Sequence, residues 1–243
     1  HFLRIFIFVV FLVLWELAAD LSWINDFIFC CPSKLTQTLI TMTSDGSLFH
    51  HIGITLYETL IGFVIVIIGS LLVATLFWWN ETLSKVLEPY LVILNALPKS
   101  ALAPVLIVWL GANKTTIIVC ACSVAIFGSI LNIYTGFVNV DSDKIKLIET
   151  LRGNRFQCLR LVVLPYNVPN ILSIMKVNIG LCLVGVVIGE FLAAREGLGY
   201  LIIYGSQTFK MSHVLLSILI LCVIAMLLYL ILQHIEKRLV EYF

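Results

Sequence analysis

The chain has 243 residues, of which 61% are hydrophobic and 12% charged, with a formal net charge of +1. Its mean hydropathy is +1.08. A soluble domain needs about a quarter of its residues charged to cover its surface, so these values exclude a soluble globular fold and place the chain in a membrane.

Leu, Ile, Val and Phe gather in uncharged runs of about twenty residues, the length a helix needs to cross about 30 Å of hydrocarbon. Lipid leaves every backbone N–H and C=O to be paired within the protein, and the runs are continuous rather than alternating, so helices are predicted rather than a barrel. Six spans follow in chain order: 2–19, 52–79, 86–110, 115–137, 170–194 and 214–234. A polar stretch from Asp20 to about His51 stays out of lipid. The third span is interrupted by Pro98 and Pro104, and the charged segment 139–169 separates the fourth span from the fifth. No repeat or linker divides the chain, which is expected to be one membrane domain over 1–243. It opens on His1 rather than Met, so a preceding piece is expected. The first run is long and lacks a small-residue cleavage site, so no cleavable signal peptide is predicted.

Cys120, Cys122, Cys182 and Cys222, four of the seven cysteines, lie in apolar runs and read as small core hydrophobes. Cys30 and Cys31 are adjacent and form no ordinary bridge with each other. Lysine and arginine set orientation, because internal loops keep the excess. With the N-terminus inside, nine fall on that side (Arg4, Lys85, Lys144, Lys146, Arg152, Arg155, Arg160, Lys237 and Arg238) and four opposite (Lys34, Lys114, Arg195 and Lys210). Both termini are therefore expected in the cytoplasm. Trp15, Trp23, Trp78, Trp79 and Trp109 fall near span ends, where amphipathic rings favour headgroups.

The segment between spans four and five carries the most information. Lys144 to Arg152 is predicted as a short helix, with Leu147, Ile148 and Leu151 on one face. Lys146, Glu149 and Arg152 lie three apart on another and pair weakly. Leu164-Pro165 is expected to stop a second helical stretch, and Pro169 to sit in the first turn of the fifth span. The result is a hairpin with an apolar stripe. Such a stripe either rests on lipid headgroups or docks a soluble partner.

This pattern resembles the permease subunits of ATP-binding-cassette importers, whose loop carries a Glu-Ala-Ala segment, a glycine, and Leu-Pro about a dozen residues later. Here Glu149-Thr-Leu-Arg-Gly-Asn-Arg-Phe-Gln157 precedes Val162-Val-Leu-Pro-Tyr-Asn-Val-Pro169, and Arg155-Phe156-Gln157 matches the basic-aromatic-Gln step. Thr55 to Phe63, Ala96 to Val105 with Trp109-Leu-Gly111, and Gly189-Glu-Phe-Leu192 with Gly197-Leu-Gly-Tyr-Leu201 extend the resemblance to the nitrate, sulfonate and taurine branch, which includes importers of thiamine pyrimidine precursors and riboflavin. Aligned on Arg155-Phe156-Gln157, the family's acidic position falls at Lys146 and its glycine at Arg152, with Gly153 one place late. Glu58 stands where a basic residue is common.

The resemblance implies an all-α integral membrane fold of six transmembrane helices, the type I importer (MetI-like) permease fold with a cytoplasmic coupling helix, in a prokaryotic cell membrane. It implies a second permease copy, two ATPase subunits and an external substrate-binding protein as partners. ATP and Mg would be bound by the ATPase, since this chain has no Gly-x-x-x-x-Gly-Lys-Ser/Thr loop. No cofactor on this chain, no catalysis and no nucleic-acid partner are expected. ATPase closure would push the coupling helices together and rock the bundle from inward-open to outward-open. The coupling contacts would be Lys146, Leu147, Ile148, Glu149, Leu151, Arg152, Gly153, Arg155 and Phe156.

Ionisable groups in lipid face a protein interior or a cavity. Pathway or gate candidates are therefore Pro98, Lys99 and Ser100 at the interruption, and Asn178 and Glu190 in span five. Lys99 either lines the pathway or snorkels to the interface, and Lys176 is expected to snorkel. Asn178 bridges helices or meets solute. Glu190, followed by Arg195 and Glu196, suggests a gate or an ion pair. Gly180, Gly185 and Gly189 permit close helix approach. His50 and His51 have no Cys/His company, so no metal is assigned, and no Gly-x-Ser-x-Gly elbow is present. Two alternatives remain: a secondary transporter, for which inverted repeats and midplane carboxylates are missing, and an intramembrane enzyme, for which paired catalytic residues are missing.

Overall fold

The computed structural model describes residues 30–240, together with 10, 14–17 and 21. It is helical: α1 (Pro32–Ser44), α2 (Ser47–Trp79), α3 (Glu81–Ala96), α4 (Lys99–Leu110), α5 (Lys114–Val138), α6 (Ser142–Thr150), α7 (Arg155–Cys158), α8 (Leu164–Ala193), α9 (Leu198–Gln207) and α10 (Met211–Val240). Four stretches are long and apolar enough to cross a bilayer: Ser47–Trp79, Lys114–Val138, Arg155–Ala193 and Met211–Leu239. The bent pair α3 and α4 brings the number to as many as five among the described residues. The predicted first span, 2–19, lies outside the described residues except at 10 and 14–17.

Three expectations need correction. The helix of span two begins at Ser47 rather than Ile52, so His50 and His51 are in helix, and ahead of it Pro32 at the first turn starts α1. Between α1 and α2, Asp45 accepts from the Ser47 N–H at 2.9 Å and the Ser47 hydroxyl at 2.6 Å. Those two donors hold its carboxyl below the usual range.

The predicted third span is a sharply bent pair of helices. Its halves meet at 97°, and the break is at Pro98 alone. Leu97 is extended, as a residue before proline prefers. Pro98 has no N–H, which leaves the carbonyl one turn back, Leu94 O, without its helical donor. The Lys99 ammonium takes that carbonyl and lies 4.8 Å from the Phe127 ring centroid. Pro104 and Pro89 are absorbed within their helices.

The continuous helix that carries the fifth span starts at Arg155, ahead of the predicted Asn170. Pro165 stops nothing, because a π turn over Leu159–Val163 precedes it and α8 then runs through both Pro165 and Pro169. In the widened turn the Leu164 N–H bonds to Leu159 O, five residues back. Such a turn accommodates a ring that an ordinary helix would push against a carbonyl.

Small residues let α2, α5 and α8 pack closely, forming a core around Phe63, Val66, Ala121, Ala125, Cys182 and Val186. A Cβ on Gly185 would stand 2.6 Å from Ala121 Cα, and one on Gly189 3.0 Å from Ile117 Cα. Gly180 meets nothing within 4 Å and serves no such contact. A polar ladder crosses the same helices: Asn178 Nδ2 donates to Ser129 Oγ at 2.8 Å, and Ser129 Oγ to Ser70 Oγ at 3.0 Å. Cys120 and Cys182 are buried as expected, but Cys222 is exposed on the outer face of α10. Lys176 has a partner within the protein. It pairs with Glu236 at 2.6 Å, joining α8 to α10.

Gly185→Ala is predicted to destabilise the protein by about 1–3 kcal/mol, because the added methyl meets backbone rather than a movable side chain. Gly180→Ala should leave stability unchanged or slightly raised. Thermal unfolding in detergent measures both.

Candidate functional site

At one end of the bundle the segment between α5 and α8 folds back as a hairpin of α6 and α7. Asp141 caps α6 by accepting from the Asp143 N–H at 2.9 Å. Asn154 and Gln157 form a reciprocal capping box on α7, at 2.8 Å and 2.7 Å. The turn between the helices is a Schellman closure: the Gly153 N–H bonds to Ile148 O at 2.8 Å and the Arg152 N–H to Glu149 O at 2.9 Å. Its left-handed residue is Arg152, at φ 58°. The backbone thus keeps the turn at the position where the aligned family pattern has its glycine, with an arginine in it. Gly153 has its own requirement, since a Cβ there would lie 2.9 Å from Ile148 O.

The hairpin is fastened to the bundle on one side and bare on the other. The Arg155 guanidinium stands 5.5 Å over the Trp78 ring and donates to Trp78 O at 3.3 Å. Trp78 O is among the last carbonyls of α2, which have no partner within the helix, and a cation there also suits the helix dipole. Lys144 Nζ lies 4.5 Å over the Tyr166 ring. Ile145 packs on the cluster of Ala74, Ile133, Phe137 and Val163. The predicted stripe is therefore divided: Ile148 is half-buried, whereas Leu147 (61% exposed), Leu151 (72%) and Phe156 (55%) face outward. Lys146 pairs with Asp143 at 3.4 Å rather than with Glu149.

A second feature is a row of uncharged polar groups on the outward side of α5 and α8. Asn132, Thr135 and Gly136 of α5 and its C-cap Asn139 meet Tyr166, Asn167 and Asn170 of α8 around a cavity of about 540 Å³. A further cavity of about 290 Å³ continues it through Asn132 and Ile174, reaching Asn95, Ser129, Ser173 and Asn178. From Ser129 to Asn139 the row covers about 15 Å of helix. Asn132, Thr135, Asn139, Asn170 and Ser173 are all exposed. Lipid satisfies no amide, so this face looks onto water or protein.

The candidates chosen from sequence separate. Asn178 lines the deeper cavity and also holds the polar ladder. Pro98, Lys99 and Ser100 stand at the bend, outside the lining of either cavity. Glu190 sits toward the other end, fully buried. It makes hydrogen bonds rather than an ion pair with Arg195, accepting from Thr55 Oγ1 at 2.7 Å and from the Gly199 N–H at 2.5 Å. Gly197, at φ 108°, brings the following turn against that carboxylate. Glu196 instead meets His50 at 3.4 Å. Glu58, beside Glu190, is 1% exposed and neither of its carboxyl oxygens has a hydrogen-bond partner. The amide row was missed in the sequence, although Asn132, Thr135 and Asn139 recur at helical spacing inside an apolar run.

Arg152→Gly should stabilise the protein by about 1 kcal/mol, because glycine enters the left-handed region without the Cβ clash. Arg155→Ala should loosen the hairpin and speed proteolysis between 139 and 155 while the spans stay inserted. Thermal unfolding and limited proteolysis report the two.

Known proteins agree with this architecture. A family profile described as "Binding-protein-dependent transport system inner membrane component" matches residues 65–241. A probable ABC transporter permease protein of Haemophilus influenzae is 30% identical over 90% of this chain and 89% of its own length. A putative aliphatic sulfonates transport permease of Bacillus subtilis is 24% identical over 96% and 84%. A formylaminopyrimidine transport permease of Halalkalibacterium halodurans is 26% identical over 79% and 76%. The inward-facing MetNI methionine ABC transporter has the same fold, with a TM-score of 0.61 over 81% of this chain and 94% of that one, at 18% identity. The chain therefore belongs to the binding-protein-dependent transport system inner membrane components, as an ABC importer permease of the nitrate, sulfonate and taurine branch.

Proposed function

We propose that this permease is the membrane half of an importer whose energy comes from a separate ATPase gripping the α6–α7 hairpin. The observation that carries the reading is the hairpin's two-sidedness. Arg155, Lys144 and Ile145 fix its inner side to α2, α8 and the core, while Leu147, Leu151 and Phe156 present apolar surface outward. A rigid strut with an apolar tip suits transmission of force from a soluble partner. Within the coupling set proposed from sequence, Leu147, Leu151 and Phe156 make the contact. Arg155, Ile148 and Gly153 hold the shape, and Lys146, Glu149 and Arg152 form the charged rim.

In this reading the hairpin end and both chain termini are cytoplasmic, in a prokaryotic inner membrane. Two copies of the chain face each other across their amide rows, and two ATPase subunits carry the ATP and Mg. A binding protein delivers a small solute, a sulfonate-type anion or a vitamin precursor, to the opposite end. Closure of the ATPase pair draws the hairpins together. Because Arg155 is seated on the last turn of α2, that displacement reaches α2 directly, and through the close-packed glycines it reaches α5 and α8.

The test is co-purification of the ATPase with variant permeases. Leu147→Asp with Leu151→Asp is predicted to reduce ATPase recovery by roughly 10-fold or more, the loss expected when an apolar anchor is replaced by a charge. The permease itself should still insert and purify. Full ATPase recovery with this variant, or ATP-independent solute uptake by the purified wild-type chain, contradicts the proposal.

A further inference from the structure

We infer that His51 latches the turn between α8 and α9 to the bundle, and that protonation of its ring releases that turn. With the hairpin in the cytoplasm the turn is on the outer side, so the latch responds to external acidity. Only this choice of side rests on the importer reading.

The turn after α8 crosses one face of α2, and three successive N–H groups in it end on side chains. The Gly197 N–H donates to His51 Nδ1 at 2.9 Å, the Leu198 N–H to Thr55 Oγ1 at 2.9 Å and the Gly199 N–H to Glu190 Oε2 at 2.5 Å. Leu198 and Gly199 open α9, where the first N–H groups have no partner within the helix. Gly197, at φ 108°, belongs to no helix. The turn therefore depends on these three acceptors. Behind it lie Glu190 and Glu58, both fully buried.

The acceptors differ in what a proton does to them. A hydroxyl oxygen accepts in every state, and a carboxyl keeps an acceptor oxygen when protonated. An imidazole does not. To accept from Gly197, Nδ1 must be bare, with the ring hydrogen on Nε2. A second proton makes both nitrogens donors, and the Gly197 N–H then faces another N–H. The bond is present while His51 is neutral and is lost as pH falls through the histidine range, about pH 5 to 8.

The ring is half-buried and has titratable neighbours on every side. His50, 5.8 Å away between centroids, meets Glu196 of the turn at 3.4 Å, and Tyr200 of α9 stacks on His51 at 6.3 Å. Lys34 and Asp45 from the α1 side, with Tyr204 and His213, line a cavity of about 520 Å³ that His51 shares. That cavity gives protons access to the ring.

Hydrogen exchange read by mass spectrometry tests this on the full chain in lipid nanodiscs. Peptides covering 194–201 are followed at about pH 8 and about pH 5.5, each corrected for the intrinsic exchange rate at that pH. Protection of the turn is predicted to fall by roughly 5-fold or more on acidification, the scale of one hydrogen bond, while α5 peptides change little. The response should vanish in His51→Gln, whose carbonyl accepts and does not titrate, and in His51→Ala, which has no acceptor at any pH. A wild-type turn equally protected at both pH values overturns the inference, as does an equal fall in α5. So does a response that survives in either variant, because His50, His213, Glu58 and Glu190 remain there to carry it. Loss of the importer reading appears separately, as a wild-type chain that recovers no ATPase.

Discussion

Hydrocarbon solvates no polar group, and this one constraint organises the protein. Where proline removes a donor from the third span, the orphaned Leu94 carbonyl is met by the Lys99 ammonium. Where serine and asparagine enter the helix interfaces, they bond to each other in a ladder joining α2, α5 and α8. Where Glu190 is buried, Thr55 and the backbone of the Gly197–Gly199 turn supply its donors. Beyond these, the buried Glu58 carboxyl beside Glu190 has no such partner, and the amide row remains on the outward face of α5 and α8. Lipid is the one solvent that row does not tolerate.

The same helices connect the hairpin and the amide row. α5 carries the amide row and leads directly into the hairpin, and α8 carries the facing amides and leads directly out of it. The π turn at Leu159–Val163 lets one helical rod continue from α7 into the core despite two prolines. Arg155 adds a third attachment, to the end of α2. A displacement of the hairpin is thus applied to the three helices that pack most closely, and close packing transmits it because such interiors yield little.

Much of this was legible in the chain. Hydropathy runs located the spans after the first because twenty uncharged residues have few other uses, and the density of charge from Asp141 to Arg160 marked the hairpin. Pro98 was legible as a break. What escaped was local geometry that depends on partners. The division of the Leu147–Ile148–Leu151 stripe was invisible without knowing which side faced the Phe137 cluster. The role of Arg155 needed the position of Trp78, and the start of the fifth span needed the π turn that accommodates Pro165. The left-handed turn explains the displaced glycine, because Arg152 occupies the strained position and Gly153 the crowded one. The amide row escaped for a different reason: a charge in lipid stands out in a sequence, whereas asparagines at helical spacing beside apolar residues do not.

The central claim is that the amide rows of two copies enclose an aqueous gap while the hairpins are held by an ATPase. A density map of the assembled complex in lipid nanodiscs tests it most directly. The account predicts Asn132 and Asn170 of both copies lining one solvent-filled passage, with Leu147 and Leu151 seated in clefts of the ATPase. Amide rows turned toward acyl chains, or hairpins standing free of the ATPase, would contradict it.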